Sequence, residues 1–391
     1  MPANFIQIIA DRRFRRPPFL LFLATFVVLN IVTAVVTRPL LQAGMRSNLL
    51  LPEHEAGTSE PPRWDKSVGG ELGKYLPAIP DATANRVVIL AGMSQMYAIN
   101  QGHPGDEVIA EHLDDHYRKL GVRVFGLAAP NLDNEEALLL LLSVASNPRT
   151  KPAVFIYGVC FDKFRNIGVR PEMKRFLSDN PEIRAEWSRI AAASAEKYPV
   201  ASASMIETAA PFAASPPSGK STARVPDSTI EEKVRSRIAL AAPLVANRKW
   251  ANGYMQDRLY LLRNAVFRIS NNTKRPIIDS RYKTNQQFLK LIGDVAREQG
   301  IKLVMYVIPL NPQAETPYVP SQYDDFKKWI ASVASERHIP FGNLENAVPA
   351  EHWGLLNGSP DFKHFAEEGH RLTALAITAK FDSVIRDGKA E

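Results

Sequence analysis

Short, unbroken apolar runs recur along the chain and alternate with segments whose apolar positions fall three and four residues apart. Residues 87–90, 123–126, 152–157 and 302–308 are of the first kind, the pattern of strands buried on both faces of a parallel sheet. Residues 106–120, 134–144, 285–298, 323–336 and 367–386 are of the second kind and predict helices, the first of them stopped by Gly121. A further short strand is expected at 338–341. This alternation of strand and helix, early in the chain and again late, predicts a parallel sheet with helices on both faces.

The rhythm breaks between residues 165 and 283, which read as an insertion into the core domain. Within it, 201–227 is rich in Ala, Ser and Pro, with Pro211, Pro216, Pro217 and Pro226, and is expected to be a flexible surface loop. Residues 230–245 and 256–269 are helical candidates. No internal repeat is evident.

Residues 18–37 form an uncharged run, and about 20 residues at 1.5 Å each are enough to cross the ~30 Å hydrocarbon layer. Arg12, Arg13, Arg15 and Arg16 precede it, and Arg38 and Arg46 follow. The heavier basic cluster predicts a cytoplasmic N-terminus, with everything after residue 38 outside. A cleaved signal peptide is the alternative, but it would carry a shorter apolar region and a small-x-small cleavage site. The organisation expected is a cytoplasmic stub and transmembrane anchor over 1–45, a proline-punctuated stalk over 46–85, and a catalytic-sized domain over 86–391. Trp64 and Tyr75 suggest that part of the stalk docks onto something.

Composition adds bounds. The 391 residues are 45% hydrophobic with a net charge of +7, which describes a globular chain and not a disordered one. A single cysteine, Cys160, excludes an internal disulfide framework. The basic excess is not arranged on a recognisable nucleic-acid module, so no nucleic-acid partner is expected. Four arginines beside the predicted anchor suit anionic lipid headgroups instead.

The candidate chemistry starts at Gly92-Met-Ser94, directly after the first strand. Strand, Gly-x-Ser, then loop presents a hydroxyl at the carboxyl edge of a sheet. Ser94 can equally be a turn residue on this stretch alone; as a nucleophile it requires a base. Near the other end stands Ser359-Pro-Asp-Phe-Lys-His-Phe-Ala-Glu-Glu-Gly-His370, with Asp361 and His364 three apart in an expected loop before the last helix. A carboxylate close to an imidazole fixes its tautomer and stabilises the imidazolium formed when it accepts a serine proton.

Gly-x-Ser after the first strand, with Asp-x-x-His and then Gly-His before the last helix, resembles the SGNH (GDSL-type) hydrolase superfamily. The resemblance implies a three-layer α/β/α, flavodoxin-like parallel sheet, with Ser94 as nucleophile, His364 as base and Asp361 as its partner. It also implies oxyanion donors: the Ser94 N–H, a second-block donor such as Gly126 or the pair Ala128 and Ala129, and a third-block Asn. The third block, Gly158-Val-Cys-Phe-Asp162, departs from the pattern: it holds no Asn at the expected position, and Cys160 is the residue nearest to it. Asn131 is the substitute candidate, although an Asn after Pro130 also serves as a turn or cap residue.

Together with the predicted anchor, Gly92-Met-Ser94 and Ile308-Pro-Leu-Asn-Pro312 resemble membrane-anchored bacterial members of that superfamily, similar to the D-alanyl-lipoteichoic acid biosynthesis protein D family. That likeness implies an acyltransferase at the bacterial inner membrane, its domain periplasmic or extracellular. The partners implied are the bilayer, a membrane-bound O-acyltransferase and a glycan or polymer acceptor. The alternatives are a free-standing esterase and a non-catalytic scaffold. No cofactor and no metal are expected. His112 and His116 have a metal-compatible spacing, but with Asp114 and Asp115 between them a solvated face is the simpler expectation. Cys160 reads as a buried small hydrophobe, His370 as structural, and Asn311 as part of a rigid strand exit.

Overall fold

The computed structural model describes residues 72–84, 86–96, 107–210, 273–356 and 359–387. All belong to one compact unit, Pro61–Gly219 with Asn271–Glu391. The predicted anchor at 18–37 and the helical candidates at 230–245 and 256–269 lie outside the described residues.

Five parallel strands make the sheet: β1 (Arg86–Gly92), β2 (Val122–Ala128), β3 (Val154–Val159), β4 (Lys302–Val307) and β5 (Phe341–Asn343), in the order β2-β1-β3-β4-β5. This is the flavodoxin-like doubly wound order, whose switch point lies between β1 and β3. Side chains alternate across the sheet. Val87, Ile89, Phe155, Tyr157, Leu303 and Met305 enter one core, and Val88, Leu90, Val154, Ile156, Val304 and Tyr306 the other. Both faces are therefore apolar, which is why these strands read as continuous hydrophobic runs.

Helices cover each face. The first core is closed by α2 (Asn134–Ala145), α3 (Pro171–Asp179), α4 (Pro181–Ser194), α5 (Pro199–Ala209), α6 (Asp279–Glu298) and α7 (Pro320–Glu336). The second is closed by α1 (Ile109–Tyr117) and α8 (Glu367–Asp387). Helix α2 is buried along its whole length and starts from a capping box, in which Asp133 accepts the Glu136 N–H at 2.9 Å. Gly121, at φ 74°, ends the turn after α1, a left-handed position that favours glycine.

Four expectations change. The run at 201–227 is not a loop from its start: Ala201 to Ala209 lie in α5, where Ala201, Ser202, Met205 and Thr208 are buried. Helices α3, α4 and α5 each begin with proline in the first turn, where its missing N–H costs nothing. Their apolar faces, Trp187 and Met173 included, join the sheet's own core. The short strand is Phe341–Asn343, because His338 turns the chain at φ 53°. The last part of the lead-in, Leu72–Ala78, is helical and packs on the first core, with Leu72 buried and Tyr75 half-buried against it.

The fourth change bears on chemistry. Asp361 and His364 are not in a loop but on β7 (Ser359–Phe365), paired antiparallel with β6 (Trp353–Leu356) as a separate two-stranded sheet. The sequence reads poorly as strand because Pro360, Asp361 and Lys363 weaken its pattern.

Candidate active site

Ser94 begins a 3-10 turn, Ser94–Met96, directly beyond the carboxyl end of β1. The turn folds tightly over the sheet because Gly92 and Gly158 leave room for the Met96 side chain. A Cβ at Gly92 would stand 2.6 Å from Met96 Cε, and one at Gly158 would collide with the same methyl group. Tyr306 Oη lies 3.3 Å from Met96 Sδ and closes the layer below.

The hairpin supplies the partners through an irregularity in its ladder. Leu355 pairs with Pro360 and Trp353 with Phe365, so a step of two residues on β6 faces a step of five on β7. The surplus of Asp361 to His364 arches out of the ladder, as bulges beside functional sites do. In a regular strand, residues three apart point to opposite faces; the arch brings Asp361 and His364 together. Asp361 closes it by accepting the Lys363 N–H at 3.0 Å and the His364 N–H at 3.3 Å on Oδ1.

A hydrogen-bonded chain results. Ser94 Oγ is 2.8 Å from His364 Nε2, and His364 Nδ1 is 2.7 Å from Asp361 Oδ2. All three residues are buried, Ser94 to 5%, His364 to 8% and Asp361 to 1% residual exposure. Burial pushes the Asp361 carboxyl up, but the hydrogen bond from His364, its charge and the two backbone N–H groups outweigh it. The carboxyl is held below the ordinary 3.8. Asp361 is thus a standing carboxylate aimed at Nδ1, which directs the Nε2 lone pair at the serine hydroxyl.

The helix after the hairpin explains the Gly-His pair. A Cβ at Gly369 would overlap Phe365 Cβ and stand 3.0 Å from the His352 carbonyl, so only glycine lets α8 abut β7 this closely. His370, 2% exposed, sets its ring edge-on to Phe365 at 4.8 Å. Both residues hold the hairpin and stand outside the Ser94–His364–Asp361 chain.

The oxyanion candidates fare unequally. Gly126 is not at a strand end: it pairs with Leu90 inside the ladder, two residues before β2 stops at Ala128. The Ala129 N–H is taken by the Gly92 carbonyl at 3.2 Å. Asn131 is exposed in a turn at φ 50°, the local role open to Asn after Pro. Neither Gly126 nor Asn131 is hydrogen-bonded to the chain of three among the described residues. Cys160, the residue nearest to where an Asn was expected, is buried at the end of β3 with Sγ 3.5 Å from Tyr318 Oη, and burial pushes its thiol pKa up. That is the opposite of nucleophile activation. The α1 face is only partly solvated. His116 is exposed, whereas His112 pairs with Glu107 at 3.1 Å and Asp114 is buried, accepting from Arg123 and the Val124 N–H.

Several residues around the site make contacts that the sequence did not announce. Gln95 donates from Nε2 to the Pro309 carbonyl at 2.9 Å and to the Lys363 carbonyl at 2.7 Å. Asn311, more than a rigid exit, donates from its backbone N–H to the Phe362 carbonyl at 3.0 Å and from Nδ2 to the Asp361 carbonyl at 2.9 Å. Lys363 reaches Asp162 at 3.1 Å; burial works against its charge, but the Asp162 carboxylate raises its pKa overall. Behind β3, burial pushes the Lys163 amine down and the Asp133 carboxyl up. None of these contacts has a local spacing that could reveal it.

No protein-family model matches the sequence, and no curated protein matches it either. Among solved structures the chain is similar to a "putative acylhydrolase" of Bacteroides fragilis NCTC 9343, at 11% identity and a TM-score of 0.34. The match covers 81% of this chain and 95% of that one. The architecture defined by the coordinates is a mixed α/β domain on a parallel five-stranded sheet. Its candidate site lies where open α/β folds bind ligands, at the carboxyl edge beside the switch point.

Proposed function

We propose that the chain is an SGNH-type acyl-transfer enzyme with Ser94 as nucleophile, His364 as general base and Asp361 as the group that orients it. The observation that carries this reading is the buried run of two short hydrogen bonds, 2.8 Å from Ser94 to His364 and 2.7 Å from His364 to Asp361. Ser94 Oγ attacks an acyl carbonyl while His364 Nε2 takes its proton. The imidazolium then returns that proton to the leaving oxygen, and the acyl group stays on Ser94 as an ester. An acceptor hydroxyl, deprotonated by His364 in its turn, releases the acyl group. Ser94 N–H is the oxyanion donor this reading retains.

The acceptor we favour is a hydroxyl of a cell-surface glycan or polymer, with acyl groups delivered by a membrane-bound O-acyltransferase. Support comes from the uncharged run at 18–37 behind four arginines, which suits a chain anchored in the inner membrane with its domain outside. An anchor confines the site near the bilayer, useful when acyl groups arrive through a membrane partner. Among the described residues no helix is long and apolar enough to cross a membrane, and 18–37 lie outside them.

A fluorophosphonate probe tests the nucleophile. It should label Ser94 and should not label Ser94→Ala or His364→Ala; labelling that maps to another residue would sink the assignment. Turnover of a small ester with and without added acceptor sugar then separates the readings. Acceptor-dependent product means transfer, and fast turnover indifferent to acceptor means an esterase. Unchanged surface acylation in a strain carrying only Ser94→Ala would leave a scaffold.

A further inference from the structure

Gln95 follows the candidate nucleophile directly, yet its side chain points away from solvent and is 1% exposed. Both protons of its amide are used. One goes to the Pro309 carbonyl at the exit of β4, the other to the Lys363 carbonyl on the arch of β7. Its own carbonyl, Oε1, is buried without a donor among the described residues. Leaving such an acceptor unsatisfied costs about 1–3 kcal/mol, and a buried orphan of this kind calls for an explanation. An apolar side chain of the same length would avoid the cost but would strand two backbone carbonyls.

What those bonds join is specific. Ser94 lies on the β1 turn and His364 on a hairpin that is not part of the main sheet. Among the described residues no ladder hydrogen bonds run between the two sheets, so the arch is held to the main sheet by individual bonds from Gln95 and Asn311. Lys363, whose carbonyl Gln95 holds, is the residue immediately before His364. Asn311 grips the preceding two carbonyls, those of Asp361 and Phe362, from the β4 exit. Three successive carbonyls of the arch are thus held from outside it. Only the last is held from the turn that carries Ser94.

We infer that Gln95 is a positioning residue that sets the Ser94–His364 distance by tying the arch of β7 to the nucleophile's own turn. The inference rests on the acyl-transfer reading above. A misplacement of about 1 Å between reacting groups costs on the order of 10² in rate. Replacing Gln95 by Met keeps the volume and removes both donors.

The test measures the rate of fluorophosphonate labelling, kcat and KM for an ester probe, and the low-field proton resonance of the His364 Nδ1–H. Gln95→Met should lower labelling and kcat by on the order of 10² with KM little changed, and should shift or broaden the resonance. Gln95→Glu gives a second, sharper signature. Facing two carbonyls, its carboxyl is protonated at low pH and donates one bond; ionised, it repels both. Its activity relative to the wild type should therefore fall as pH rises. A folded Gln95→Met that labels within about three-fold of wild type, with an unmoved resonance, overturns the inference. If Gln95→Met does not fold, a Gln95→Glu profile shaped like the wild type overturns it. Failure of the wild type to label at all would defeat the catalytic reading instead, and the His364 resonance in Gln95→Met would still decide this one.

Discussion

Replacing Asp361 by Asn should disable the base while leaving the hairpin folded, and the hydrogen bonds show why. Oδ1 accepts two backbone N–H groups, from Lys363 at 3.0 Å and His364 at 3.3 Å, and Oδ2 faces His364 Nδ1 at 2.7 Å. An asparagine keeps its oxygen on the two backbone donors, since the opposite rotamer would set its NH2 against them. The amide nitrogen then lands opposite Nδ1 and must donate to it. That forces the proton of the neutral imidazole onto Nε2, and Ser94 faces a donor where it needs an acceptor. Recovering the active tautomer means giving up two backbone bonds, about 1 kcal/mol each. The imidazolium also loses a charge-assisted partner worth about 1.5–3 kcal/mol. The sum, roughly 3.5–5 kcal/mol, corresponds to a loss on the order of 10³ in rate at about 1.4 kcal/mol per decade. Ester turnover and probe labelling at Ser94, with a denaturant melt to verify folding, measure it. An Asn variant that turns over within ten-fold of the wild type (about 1.4 kcal/mol), while Ser94→Ala is dead, would refute the orienting role of Asp361.

Other outcomes follow from the same coordinates. Gly369→Ala pushes a methyl group into Phe365 and toward the His352 carbonyl, so denaturant melts should show a loss of about 1–3 kcal/mol, with activity falling alongside because β7 must move. Because Asp361 is held below 3.8, its ionisation stabilises the fold above that value. The contribution is lost as pH falls through the lower folded pKa, so the stability advantage of wild type over Asp361→Asn should shrink in the acid range below about 4. For the anchor, protease added to intact spheroplasts should digest the domain, and carbonate washing should leave the protein in the membrane; protection or release would count against residues 18–37 as a span.

What the sequence determined by itself was whatever depends on neighbours along the chain. Strands β1, β3 and β4 are legible because a strand buried on both faces must be apolar at every position, and helix α2 because its leucines are contiguous. Ser94, Asp361 and His364 were legible as types in motifs, through resemblance to a superfamily. Helices α3 to α5 were readable in principle: Pro171, Pro181 and Pro199 mark helix starts, but the same prolines also read as breaks. The tertiary structure alone decided the rest. A hairpin containing Pro360 and Asp361 becomes a strand only because β6 pairs with it, and its five-against-two register is invisible without the partner. Gly126 was set aside by a ladder that continues two residues further than its own local pattern. The grip on successive carbonyls joins Gln95 to Lys363 across 268 positions and Asn311 to Asp361 across 50. Backbone carbonyls are identical in every residue, so no side-chain pattern announces which of them a distant amide will hold.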